Sequence, residues 1–118
     1  MDARAQLPPE EDKAQKPKEY HFNPVQSQDE VRVGDFYFKS GDFRAAALRF
    51  REATKWNDGN SEAWLLLAES EEKNRQLKTA SEAYEKYLDL APDARNAPSV
   101  KRKLRTLKAQ LLSQKSRG

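Results

Sequence analysis

The chain has no cysteine and a single histidine, His21. Disulfides and thiolate metal sites are therefore excluded, and one imidazole cannot by itself assemble a zinc site or a catalytic triad. Only 36% of its 118 residues are hydrophobic while 35% are charged, so any core must be thin. No apolar run approaches the roughly 18 residues of a membrane span, and residues 1–30 hold no apolar stretch of the secretory kind. The default expectation is a cytoplasmic protein. Ala3-Arg4-Ala5 ahead of Gln6 has the small-x-small form of a cleavage site, which leaves open a periplasmic or envelope-associated chain from which an upstream signal was removed.

Charge of one sign is missing from the C-terminal end. Residues 98–118 contain Lys101, Arg102, Lys103, Arg105, Lys108, Lys115 and Arg117 and no acid, whereas residues 1–97 hold 15 basic against 19 acidic residues. The net charge of +3 thus combines a mildly acidic body with a basic end.

Residues 1–26 carry Pro8, Pro9, Pro17 and Pro24 among mixed charges and few aliphatics, and read as a disordered leader. Tyr20, Phe22, Pro24 and Val25 form an apolar cluster at its end, expected to dock on the first helix or to cover the domain's groove. Ser27-Gln28-Asp29-Glu30 has the spacing of a capping box and predicts a helix start, with Val33 and Tyr37, joined by Val31 and Phe38, at helical spacing up to Lys39. Asp42 predicts the cap of a second helix with a buried stripe of Phe43, Ala46, Ala47, Phe50 and Ala53. Helices follow at about 61–74, 77–90 and 97–113, the last presenting Val100, Leu104, Leu107 and Leu111 on one face, and residues 114–118 read as a flexible tail. Nothing alternates like a strand, so the fold class is all-α.

Gly34-x-x-x-x-Lys39-Ser40 is one residue short of a phosphate-binding loop, but Phe38 stands where a second glycine is needed and Asp35 would repel an anion. Glu69, Glu71 and Glu72 read as a solvated helix face rather than an acid/base pair. No catalytic residue, cofactor site or metal site is predicted.

The glycine belongs to a different pattern. Gly34 and Ala68, Ala46 and Ala80, and Phe50 and Tyr84 are each 34 residues apart. With Trp64-x-x-Leu67-Ala68, Ala80-x-x-x-Tyr84 and Pro92 in the second unit, the chain resembles the tetratricopeptide repeat family over residues 27 to about 92. The resemblance implies a short right-handed α-α superhelix: repeat 1 over 27–60, repeat 2 over 61–94 and a capping helix over 97–113, together a domain of 27–113. Four positions depart from the family pattern. Glu30 stands at a usual Trp, Asp58 at a usual Pro, Glu71 at a usual Tyr and Tyr87 at a usual Ala, and these are expected to loosen the packing locally.

The resemblance also implies a function. It points to a non-enzymatic protein-interaction module or scaffold whose concave groove holds a partner peptide segment, with Val31, Asp35, Phe38, Lys39, Leu65, Glu69, Glu72 and Lys73 at the groove positions. An apolar floor and a mostly acidic wall suit a basic or mixed apolar segment of another protein. Val31 and Asp35 occupy the first pair of sites that chaperone-binding members use to clamp a C-terminal carboxylate, which disfavours that class of partner. The fifth helix has no aromatic residue for base stacking, so an ordinary basic face on a cap, or a contact to another protein's acidic surface, is favoured over nucleic acid. The alternative is a structural subunit that stacks end to end on itself or in a larger assembly, and the expected state is a monomer or a weakly self-associating one.

Overall fold

Asn followed by Pro opens the first helix. The Asn23 side chain accepts from the Gln26 N–H at 2.9 Å, and Pro24 needs no donor of its own in the first turn. In the computed structural model, which describes residues 18–117, the elements are α1 (Pro24–Lys39), α2 (Phe43–Trp56), α3 (Ser61–Lys73), α4 (Leu77–Leu90) and α5 (Ala97–Arg117). No strand occurs among the described residues, and each helix packs on its neighbour in the chain. Residues 1–17, most of the predicted leader together with Ala3-Arg4-Ala5, lie outside the described residues, as does Gly118.

Two predicted boundaries move. Helix α1 is capped by Asn23 and not by Ser27, because the extra turn is tied to the exit of α2 by a bond from the Asn23 N–H to the Trp56 carbonyl at 2.9 Å. Ser27 is wholly buried; its hydroxyl donates to the Ala53 carbonyl at 2.7 Å and accepts from the Asn60 side chain at 3.0 Å. The apparent capping box is therefore a knot between α1, α2 and the cap of α3. At the other end, residues 114–117 continue α5 instead of forming a tail.

The 34-residue pattern sets the packing. Gly34 is buried against Phe50 so closely that a Cβ would stand 2.6 Å from the ring. Ala46, Ala53, Ala68 and Ala80 are fully buried around Phe50, Leu67 and Tyr84, so small residues let the axes approach and large ones fill between them. Val33 was expected on this face, but it is 39% exposed, with Val31 and Gly34 turned inward in its place. Both hairpin turns are alike. The Asp42 and Gly41 N–H groups reach back to the Tyr37 and Phe38 carbonyls, and Gln76 and Arg75 do the same to Glu71 and Glu72. Gly41 takes a φ of +86° there and Arg75 one of +62°, a conformation costly for a residue with a Cβ.

The departures from the family pattern do not loosen the structure as expected. Glu30 is buried and meets Arg49 at 3.2 Å, while Glu71 is buried and meets Arg51 at 2.7 Å, so ion pairs fill places the family fills with rings. Asp58 lends its carbonyl to the Trp64 indole N–H at 2.8 Å. Tyr87 is buried and donates to Asn96 at 2.6 Å, anchoring the entry to α5. Helix α5 buries Val100 and Leu107 against the core and half-buries Leu104 and Leu111.

Candidate functional site

The inner faces of α1, α3 and α5 enclose a recess of about 350 Å³ lined by Phe38, Glu69, Glu72, Lys73 and Lys103. A smaller one of about 200 Å³ adjoins it and shares Glu69 and Lys103, with Leu65 and Val100 on its apolar side. Helical spacing puts Leu65, Glu69, Glu72 and Lys73 on one face of α3. The stack of helices brings that face opposite Phe38 on one side and Lys103 on the other.

Phe38 packs edge-on to Phe43, with ring centroids 5.0 Å apart, and the Lys73 ammonium lies 5.6 Å from the Phe43 ring. This aromatic end faces an acidic middle. The Glu72 carboxylate accepts from the buried Tyr84 hydroxyl at 2.8 Å and stands 3.7 Å from the Lys103 ammonium. Burial and then the bond to Glu72 push the Tyr84 phenol above its usual range. Burial likewise raises the Glu69 carboxyl; Lys103 pulls it down and the neighbouring Glu72 adds to the rise. The groove is a set of alternating charges over an apolar floor, held in place by a core tyrosine.

Five of the eight predicted groove residues, Phe38, Leu65, Glu69, Glu72 and Lys73, come together here. Asp35 and Lys39 instead pair with each other at 2.8 Å on α1, and that hydrogen bond raises the Lys39 pKa. Val31 is 4% exposed and belongs to the core, so it offers no contact surface. Nor does the Tyr20 to Val25 segment cover the groove. Tyr20 and His21 pack edge-on against Trp56 of α2 while Phe22 and Val25 stay exposed, and none of them lines either recess. Two side chains that line the recesses were not among the predicted ones, Lys103 and Tyr84. The repeat held the signal for the first: stepping 34 residues from Asp35 reaches Glu69, and another 34 reaches Lys103.

Antiparallel helix pairs stacked at a 34-residue step, with small residues at the crossings, define a helical-repeat protein. A family model described as Tetratricopeptide repeat matches residues 37–111, and the chain belongs to that family. The match runs to Leu111 and so takes in most of α5, beyond the residue 92 at which the resemblance was expected to stop. Tetratricopeptide repeats generally mediate protein–protein interaction and are typically not enzymes. No curated protein matches the chain. Among the described residues, no helix is long and apolar enough to cross a membrane.

Proposed function

We propose that the protein is a non-enzymatic interaction module that holds a segment of a partner protein in the groove between α1, α3 and α5. The observation that carries this reading is the recess itself, in which Phe38, Glu69, Glu72, Lys73 and Lys103 converge from three helices. An aromatic floor takes an apolar side chain, and the Glu69 and Glu72 carboxylates favour a basic group beside it. Asp35 holds the corresponding position one repeat before Glu69, where Lys39 pairs with it outside the residues that line the recess. Affinity purification from the source cell tests the reading, with Asp35→Lys/Glu69→Lys as the comparison. The variant is expected to lose the groove partner while keeping its helical circular dichroism; an unchanged set of captured proteins would place the interaction on another surface.

A second reading, a subunit stacking end to end, is favoured by the outer face of α1, where Phe36 is 67% and Val25 72% exposed. Sedimentation at several concentrations separates the two, because stacking requires association that grows with concentration. Either role is performed in an aqueous compartment, the cytoplasm by default or the periplasm where an upstream signal was removed. The genomic sequence upstream of Met1 tests that choice.

A further inference from the structure

Helix α5 occupies the place of the first helix of a third unit, and among the described residues no second helix lies on it. In the second unit the chain turns at Arg75 and lays α4 against α3, burying Leu67, Ala68 and Glu71. The residues 34 positions further on are Lys101, Arg102 and Arg105, and all three are exposed. Leu77, the buried first residue of α4, corresponds to Leu111, where α5 continues without a turn to Arg117.

That continuation leaves a vacancy. An open apolar slot of about 690 Å³ lies between the start of α4 and the overhang of α5, lined by Leu111 and Leu112 and by Lys78, Lys108 and Lys115. Lys101, Arg105, Lys108, Leu112 and Lys115 follow one another at steps of four and three, so they form a single stripe along α5 beside the slot. Lys108 is engaged by Glu85 of α4 at 2.5 Å, whereas Lys101, Arg105 and Lys115 have no ion-pair partner among the described residues.

We infer that this flank of α5 docks an acidic amphipathic helix from another protein, in the place that α4 takes on α3. Apolar residues of that helix enter the slot at Leu111 and Leu112, and its carboxylates meet Lys101, Arg105 and Lys115. Charge complementarity selects the occupant, since the stripe is basic at every position but Leu112. Nucleic acid would have no use for a leucine slot and would find no aromatic side chain on α5 to stack on. A second copy of this chain fits poorly: the stripe Glu82, Glu85 and Asp89 on α4 has no apolar side chain to enter the slot and Glu85 already holds Lys108, while beside the exposed Val25 and Phe36 of α1 the carboxylates of Asp29 and Asp35 are already paired with Arg32 and Lys39.

The test uses the full chain and a labelled synthetic peptide of about 14 residues, the length of α4, with leucines on one helical face and glutamates flanking them. Fluorescence anisotropy is expected to show binding that weakens roughly tenfold or more in Lys101→Glu/Arg105→Glu and several-fold in Leu112→Gln, and that the groove variant Asp35→Lys/Glu69→Lys leaves unchanged. Equal binding of a scrambled peptide of the same composition would overturn the inference, as would stronger competition by single-stranded RNA or by phosphatidylglycerol vesicles. So would self-association of the protein that Lys101→Glu/Arg105→Glu abolishes.

Discussion

Tyr84 of α4 donates its hydroxyl hydrogen to Glu72 of α3 at 2.8 Å, so a side chain from the core holds a side chain of the groove wall. The phenol is 1% exposed as a residue, and its ring packs where the 34-residue pattern puts Phe50 in the first unit. Removing only the hydroxyl separates the two roles. Tyr84→Phe keeps the ring and is expected to lower stability by ~1.5 to 3 kcal/mol, the range for a bond to a charged acceptor, read as a lower urea midpoint with an unchanged slope. An unchanged midpoint would show that Glu72 is held by Lys103 alone.

Arg75 takes the same left-handed turn as Gly41, 34 residues earlier, yet it carries a Cβ. Glycine adopts that conformation without the steric cost, so Arg75→Gly is expected to stabilise the domain by about 1 kcal/mol despite the greater freedom of its unfolded chain. The reverse change, Gly41→Arg, should destabilise by a similar amount. Thermal unfolding of both variants checks the pair, and shifts of the same sign would rule out the turn as the cause.

The entry segment is clamped by a titratable pair. Tyr20 donates to Glu52 at 2.7 Å, and Lys18 meets the same carboxylate at 3.0 Å. Burial and then the Glu52 bond push the Tyr20 phenol up to about 12. Burial alone would raise Glu52, but the bonds from Tyr20 and Lys18 outweigh it and leave the carboxyl lowered. A lowered carboxyl pKa contributes stability above its ordinary range, which is lost as pH falls through the folded value. A raised phenol pKa contributes below the ordinary value of 10.0, and the contribution disappears as pH rises toward 12. The clamp is therefore expected to be closed from about pH 5 to 10 and to open on either side. Fluorescence of Trp56, against which Tyr20 packs at 5.0 Å, reports this in a Trp64→Phe background. Glu52→Gln should flatten the acidic limb, and an acidic limb that persists in that variant would assign the change elsewhere.

Two repeats alone bury little, and α5 covers their open end. Val100 and Leu107 are buried, and Leu104 and Leu111 half-buried, which corresponds to about 5 to 9 kcal/mol before entropy. A chain ending at residue 96 is expected to unfold or aggregate. Circular dichroism and sedimentation of the truncated protein check this, and an unchanged melting curve would show that two hairpins suffice.

Much of this molecule was determined locally. The 34-residue recurrence of Gly34 with Ala68, Ala46 with Ala80 and Phe50 with Tyr84 specifies which helix crosses which, because small and large residues must alternate at a close crossing. The start of α1 was misread since Ser27-x-x-Glu30 has the spacing of a cap, and only the carbonyl of Ala53 and the amide of Asn60, distant in the chain, make that serine a buried tie. Glu30 and Glu71 looked like faults for the same reason. Their partners Arg49 and Arg51 sit on another helix, and a charge can replace a ring only when its counter-charge is delivered there.

Chain pattern alone therefore determined the all-α class and the repeat, since helical period and steric fit are properties of neighbours in sequence; the groove positions came from the family resemblance, and the structure gathers five of them in one recess. Tertiary structure alone decided that Val31 is core, that Tyr20 clamps Trp56 and leaves the groove uncovered, and that Lys103 closes the groove on Glu72. Those outcomes depend on burial and on charges meeting across helices, and both are set by how the helices stack.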